Sequence, residues 1–185
     1  ITQGAADWHE GLDLYAESQH ATQHHGKNPW PVEQPSLRTA IEAYVHEMQR
    51  VGGLVTSLMA RSLGLPPETF EPFYDDGFWC LRAIHYPPKG EAASQAAPDL
   101  GCGMHTDYGC LTLLHTDDTP GALQVQTTDG AWLGVEPTPG AFTCNIGSAA
   151  GQKREGARGR LGAAAGPPAT ARAHVAPPSR PLPPR

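Results

Sequence analysis

A histidine and an aspartate separated by one residue, His105-Thr106-Asp107, are the side chains of this sequence best placed to do chemistry. On an extended backbone, residues i and i+2 project to the same face, so the imidazole and the carboxylate would lie side by side. Together they offer two neighbouring ligands to a divalent metal ion, and a second histidine would complete a set that leaves coordination positions open. Imidazole nitrogen and carboxylate oxygen suit Fe(II), so the motif predicts part of a ferrous site.

The same pattern occurs a second time, at His115-Thr116-Asp117. The histidine and aspartate content of the chain gives about 0.4 such matches by chance, so the pattern alone is a weak signal. The second pair follows an apolar run and enters the turn sequence DDTPG, where polar residues are expected. We interpret it as part of that turn, and a structural role is also the default for the first pair unless its surroundings indicate a site.

The four cysteines form no Cys-x-x-Cys pair and are scattered through apolar segments at Cys80, Cys102, Cys110 and Cys144. This spacing argues against a zinc site and against a disulfide framework. We expect buried free thiols in a reducing compartment, which favours a cytoplasmic protein. No apolar run approaches the ~20 residues needed to cross a bilayer, so no membrane partner is expected.

The first element that would support the motif is a long helix. Apolar residues recur at steps of three and four from Leu37 to Leu58, including Tyr44, which predicts an amphipathic helix. Ser36 is the expected N-cap, and Gly64 is expected near the end. The pair at 52–53, Gly-Gly, should bend or weaken the middle. Residues 1–35 are polar and end in NPWP, which indicates an extended loop.

From residue 78 onward, short apolar or alternating segments stand between turn signals, which predicts strands. Asp129-Gly130 is a two-residue hairpin signal between two of them. About five strands at this spacing favour an antiparallel sandwich or barrel over a parallel α/β sheet. The predicted strands cover residues 78–86, 110–115, 123–126, 132–135 and 142–146.

The charge of the chain divides it at residue 147. Of the 185 residues, the first 147 carry 6 Lys+Arg and 18 Asp+Glu, whereas residues 148–185 carry 7 Lys+Arg and 1 Glu. The last segment is rich in Ala, Pro, Arg and Gly and has no aromatic residue, so it should stay disordered. We therefore predict an N-terminal loop and helical region at 1–76, a β core at 77–147 and a disordered tail at 148–185.

Several ordered motifs around the first His-x-Asp pair resemble one family. The sequence is similar, over about residues 7–147, to the isopenicillin N synthase-like Fe(II)/2-oxoglutarate-dependent dioxygenases. The upstream motifs are NPWP at 28–31, SLGL at 62–65 and LRAIHYPP at 81–88. The downstream motifs are GMHTDYGCLTLL at 103–114, GALQV at 121–125, GAW at 130–132, VEP at 135–137, PGAF at 139–142 and NIG at 145–147.

The resemblance implies a mainly β fold with N-terminal helices, a double-stranded β-helix or jelly roll. It implies that His105 and Asp107 ligate Fe(II), and that Tyr86 hydrogen-bonds the far carboxylate of 2-oxoglutarate; the alternative for Tyr86 is an aromatic residue packed at a strand end. Asn145 would satisfy backbone groups of a turn. The activity implied is a hydroxylase-type dioxygenase reaction, in which 2-oxoglutarate and O₂ are consumed and an unactivated carbon of a small organic molecule is oxidised.

The sequence departs from this family after Gly147. Where the family has an aspartate the chain has Ser148, and the downstream Arg and Ser that bind 2-oxoglutarate have no counterpart. His174 is the only downstream histidine, and it is either the third metal ligand or a residue of the disordered tail. We therefore expect a jelly roll incomplete at the C-terminus, through truncation or a frame shift, and a chain that turns over little or no substrate.

Two other functions remain open at this point. One is an oxidase of the same fold that needs no 2-oxoglutarate. The other is a non-catalytic binding or regulatory isoform whose basic tail recruits an acidic partner or nucleic acid. Charge clusters without aromatic residues are usually only solvated, so nucleic-acid binding is not the favoured interpretation.

Overall fold

The structure is a computed structural model that describes residues 7–17, 26–73, 78–88 and 101–147, together with the backbone of residues 172–175. The sequence predicts a flexible loop at 89–101, which lies outside these residues except for Gly101, as does most of the predicted tail. The chain forms two compact units, one made of Ile1–Glu10 with His85–Arg185 and the other of Gly11–Ile84. These bounds differ from the segments proposed from composition, because strand pairing joins residues that are distant in the sequence.

The helix α1, Pro35–Ser62, confirms the predicted amphipathic helix. Its N-cap is Gln34 rather than Ser36, so the predicted cap is wrong. Pro35 stands in the first turn, where its fixed φ and its missing N–H are tolerated. A 3₁₀ helix, Pro67–Phe73, follows.

The two glycines in the middle of α1 do not interrupt it. The Thr56 hydroxyl donates to the carbonyl oxygens of Gly52 and Gly53, at 3.0 Å in each case. This contact ties the turn after the glycines to their own carbonyl groups. The helix therefore continues through a pair that the sequence marks as weak.

The buried face of α1 is displaced from the face predicted by the apolar pattern. Val45 and Ala60 are buried, whereas Tyr44 is 45% exposed and Leu58 is 64% exposed. The apolar residues surround more of the helix than one stripe, so periodicity alone does not choose which of them pack inside.

A two-stranded sheet pairs β1, Glu10–Tyr15, with β2, Cys80–His85. The sequence predicts β2 but places β1 in an extended loop, so the β1 prediction is wrong. Within these strands the Arg82 guanidinium donates to both carboxylate oxygens of Asp13, at 2.6 and 2.5 Å. This contact links two strands that lie 69 residues apart in the sequence.

The unit that contains His105 and Asp107 has two antiparallel sheets among its described residues. The first has the order β3-β8-β5-β6, and the second pairs β4 with β7. The strands are β3 Cys102–His105, β4 Leu111–Leu114, β5 Leu123–Gln126, β6 Trp132–Val135, β7 Thr143–Ile146 and β8 Arg172–Val175.

The hairpin between β5 and β6 lies where the sequence predicts it, but residues 127–131 connect the strands, so the predicted two-residue turn is wrong. Gln126 pairs with Trp132, and the Thr127 N–H donates to the Ala131 carbonyl oxygen at 2.8 Å. Gly130 has a φ of 91°, a left-handed conformation that only glycine adopts at low cost. The turn chemistry therefore sets the register of these two strands.

The strand β8 lies within the segment for which the sequence predicts disorder. It pairs with β3 on one side and with β5 on the other, with Ala173 opposite His105 and His174 opposite Gln124. Without it, the facing edges of β3 and β5 would present unpaired backbone groups, which favours the insertion of an extended segment. The rest of the predicted tail lies outside the described residues.

The cysteines are free, as predicted, but they are not buried. Cys80 and Cys144 are exposed, and Cys102 and Cys110 are half-buried. The prediction of buried thiols is therefore wrong, because short strands leave alternate positions open to solvent. Within the described residues, no helix has both the length and the apolar character of a membrane span.

Candidate metal centre

The candidate site lies where β3 ends. His105 is the last residue of the strand, and Asp107 follows in the connection to β4. The imidazole Nε2 and the carboxylate Oδ1 are 3.5 Å apart, with 43% of the histidine side chain and 20% of the aspartate side chain exposed. The two donors therefore face one another at a partly open surface, as the spacing of the motif predicts.

The second ring nitrogen of His105 fixes the orientation of the ring. Nδ1 lies 2.8 Å from the Gly103 carbonyl oxygen and 3.5 Å from the Cys102 sulfur. A carbonyl oxygen only accepts, so Nδ1 carries a hydrogen and donates it. In the neutral ring this leaves the lone pair on Nε2, the nitrogen that faces Asp107.

His105 and Asp107 each shift the pKa of the other in the direction that favours its charged form. The hydrogen bond to Asp107, and next the one to Cys102, raise the pKa of His105 to about 11. The hydrogen bonds that Asp107 accepts from His105, Thr112 and Asn145 lower the pKa of its carboxyl group, although burial opposes this shift. Without a metal, these shifts favour the charged forms of both groups, so a metal ion would have to displace a proton from Nε2.

Two further side chains hold the Asp107 carboxylate. Asn145 Nδ2 lies 3.5 Å from Asp107 Oδ2, and Thr112 lies close enough to the same carboxyl group to lower its pKa. Thr112 on β4 and Asn145 on β7 are direct register partners. The sequence missed Thr112 and assigned Asn145 to turn backbone; the only signal for either was their place in the family motifs.

The backbone beside Asp107 packs against the end of β7. A Cβ at Gly147 would lie 2.1 Å from the Gly109 carbonyl oxygen and 2.9 Å from the Asp107 carbonyl oxygen. The Gly147 N–H donates to the Cys110 carbonyl oxygen at 3.1 Å. Only glycine fits at this position, so Gly147 is a structural requirement of the site.

Tyr86 is half-buried, and His9 connects it to Gly101, the residue before β3. Its ring packs edge-on against His9, with 5.8 Å between the ring centroids. His9 Nδ1 is 2.9 Å from the carbonyl oxygen of Gly101, the residue before β3. The role of Tyr86 toward 2-oxoglutarate stays a prediction.

The second His-x-Asp pair is used differently. The Asp117 carboxylate accepts a hydrogen bond from the Thr119 N–H at 3.0 Å, which forms the expected turn. The exposed His115 ring packs edge-on against Phe142, with a centroid distance of 5.8 Å. The tripeptide pattern therefore has two different local structures in one chain.

The described residues offer two side-chain ligands at this place. Among them no cluster of three or more His, Cys, Asp or Glu side chains could hold a metal ion. His174, the candidate third ligand, belongs to β8, where only the backbone is described; Ala173, its neighbour, is the register partner of His105. The third ligand stays a prediction.

The donor set fits a ferrous ion. Two adjacent ligands of an octahedral ion, each about 2.1 Å from the metal, lie about 3 Å apart. His105 Nε2 and Asp107 Oδ1 are 3.5 Å apart, so the two atoms would have to move only slightly closer to bind one ion. One neutral imidazole and one carboxylate are also the ligand types that non-haem Fe(II) sites use.

The chain is similar to known proteins. A profile of the 2OG-Fe(II) oxygenase superfamily matches residues 77–155. The chain is 38% identical over 156 residues to homoarginine-6-hydroxylase 2-ODD-C23 of Glycine max, which covers 80% of this chain and 47% of that protein. The chain thus spans about half the length of the curated relatives it matches.

Solved structures show the same fold. A full-length Neurospora crassa protein in complex with alpha-KG superposes with a TM-score of 0.77 at 23% identity, covering 95% of this chain and 51% of that one. JOX2 in complex with 2OG, Fe and JA superposes with a TM-score of 0.71 at 28% identity, covering 94% and 46%. The jelly-roll prediction is confirmed.

The His-x-Asp pair at the end of β3, the profile match and the relatives lead to one conclusion. Residues 77–155 of this chain belong to the 2OG-Fe(II) oxygenase superfamily.

Proposed function

We propose that the chain carries the iron-binding part of a non-haem Fe(II)- and 2-oxoglutarate-dependent dioxygenase that hydroxylates a small organic molecule. The observation that carries this proposal is the contact between His105 Nε2 and Asp107 Oδ1, 3.5 Å apart at a partly open surface. The match to the superfamily and the iron and 2OG bound in JOX2 support the choice of metal and cosubstrate.

The side chains divide the work of binding. His105, held through Nδ1 by the Gly103 carbonyl oxygen, presents its Nε2 lone pair to the metal. Asp107 supplies one carboxylate oxygen and the negative charge that favours a cation. Fe(II) with 2-oxoglutarate supplies the activation of O₂ that oxidation of an unactivated carbon requires.

Tyr86 is proposed to bind the far carboxylate of 2-oxoglutarate. Its position is tied to the start of β3 by the contact with His9 and by the His9–Gly101 hydrogen bond. A phenolic hydroxyl donates well to a carboxylate, so it would orient the cosubstrate without taking part in the oxidation.

The direct test is anaerobic equilibrium dialysis of the purified chain against Fe(II). We expect binding that is lost in His105→Ala and unchanged in His115→Ala, a matched control from the second His-x-Asp pair. Equal binding by both variants would refute the metal site.

A second assay addresses the cosubstrate. Succinate formation from 2-oxoglutarate by the iron-loaded chain measures turnover, and its dependence on His105 would support the dioxygenase assignment. Iron binding with oxidation of substrate but without consumption of 2-oxoglutarate would instead indicate the oxidase of the same fold.

A further inference from the structure

The Asp107 carboxylate is approached from two directions by different partners. Its Oδ1 faces His105 Nε2, whereas its Oδ2 accepts from Asn145 Nδ2, at 3.5 Å in both cases. Thr112, a second polar side chain near the same carboxyl group, lowers its pKa. Rotation of the carboxylate would exchange its oxygens only by breaking these contacts.

The two supporting side chains come from neighbouring strands in fixed register. Thr112 on β4 lies opposite Asn145 on β7, with Leu113 opposite Cys144 and Leu111 opposite Ile146 on either side. Directly opposed residues of an antiparallel pair lie on the same face of the sheet. The register therefore delivers a hydroxyl donor and an amide donor to one place.

The end of β7, the strand that carries Asn145, also packs on the backbone of the aspartate loop, residues 106–110, which connects β3 to β4. Gly147, two residues further along, is buried and packs closely on the carbonyl oxygens of Asp107 and Gly109. Its N–H donates to the Cys110 carbonyl oxygen. Side chain and backbone of Asp107 are thus located by the same short segment, residues 145–147.

We propose that Asn145 and Thr112 are positioning residues, which hold one oxygen of Asp107 so that the other faces the metal. This inference rests on the proposed function, since it assigns the support of the same metal site. It replaces the sequence-based view that Asn145 satisfies turn backbone. Because carboxylate ligands that lose such support bind metals more weakly, both residues should act on metal affinity through Asp107.

The test measures the affinity for Fe(II) by anaerobic dialysis, and for Co(II) as an oxygen-stable probe, in the full chain. We expect Asn145→Ala and Thr112→Val each to weaken binding about 10- to 100-fold. Thr112→Ser, which keeps the hydroxyl, should restore most of the affinity. Thr143→Val is the matched control, because Thr143 also lies on β7, opposite Leu114 rather than Thr112.

A double-mutant cycle between Asn145 and Asp107 distinguishes a positioning role from general structural damage. In an Asp107→Ala background, Asn145→Ala should cause no further loss of the residual affinity for Co(II). The proposal would be refuted if Asn145→Ala weakened Co(II) binding as much in the Asp107→Ala background as in the unaltered chain. It would also be refuted if Thr112→Ser weakened metal binding as much as Thr112→Val.

Failure of the positioning proposal and failure of the metal site give different results. If His105→Ala abolishes binding but Asn145→Ala and Thr112→Val do not weaken it, the site stands and the positioning role is wrong. If His105→Ala also binds like the unaltered chain, the proposed function itself fails. Thermal unfolding of every variant identifies those that do not fold, for which Asn145→Ser is the milder replacement.

Discussion

Replacement of Gly147 by alanine tests whether close packing on β7 holds Asp107. The added Cβ would lie 2.1 Å from the Gly109 carbonyl oxygen, 2.8 Å from the Gly109 carbonyl carbon and 2.9 Å from the Asp107 carbonyl oxygen. All three neighbours are backbone atoms, so no side-chain rotation can relieve the contact. The loop itself must move.

The size of the movement follows from these distances. An ordinary contact begins at about 3.4 Å, so the Gly109 carbonyl oxygen must retreat by about 1.3 Å and that of Asp107 by about 0.5 Å. Overpacking of this kind costs about 1–3 kcal/mol of unfolding free energy. Metal-binding groups tolerate displacements of only about 0.5 Å, so the affinity should also fall at least about 10-fold.

Two measurements check this prediction. Denaturant titration gives the free energy of unfolding, and anaerobic dialysis gives the affinity for Fe(II). Gly134→Ala is the control, because the nearest atom to its added Cβ is the flexible Glu136 Oε1 at 3.8 Å. If Gly147→Ala is as stable as Gly134→Ala and binds metal equally well, the packing of β7 on the aspartate loop does not hold the site.

Three further predictions concern a turn, an ion pair and a tyrosine. Gly130→Ala should lower the free energy of unfolding by about 1–2 kcal/mol, measured by denaturant titration, because φ is 91° there. In the metal-free chain, the ion pair between His105 and Asp107 makes its full contribution to stability between about pH 4 and pH 6.5. These limits are the usual pKa values of an aspartate and a histidine. Its contribution is lost as acid protonates Asp107 through its lowered pKa, and as the pH rises toward the pKa of about 11 for His105. Unfolding at pH 3, 5.5 and 8 should therefore show His105→Gln to be destabilised most at pH 5.5, by about 1 kcal/mol or less because the pair is partly exposed. Tyr86→Phe should weaken the binding of 2-oxoglutarate to the iron-loaded chain several-fold in anaerobic dialysis, whereas Tyr44→Phe should not; equal affinities would remove Tyr86 from the cosubstrate site.

Features that depend on a few consecutive residues were predictable. The approach of His105 to Asp107 follows from a two-residue spacing at the end of a strand, and Asp129-Gly130 defines a hairpin by its own φ preferences. The helix α1 follows from its repeat of apolar residues, although its N-cap and its buried face do not. Family motifs add the jelly roll, because they carry many such local signals in order.

The support of the site was decided by tertiary structure. Asn145 reaches Asp107 across 38 residues of sequence, and it does so because the register of β4 with β7 places it opposite Thr112. The insertion of β8 beside β3 depends in the same way on strand edges that no local pattern reveals. A shift of one residue in pairing moves every side chain to the other face, so these contacts exist only once the strands have paired.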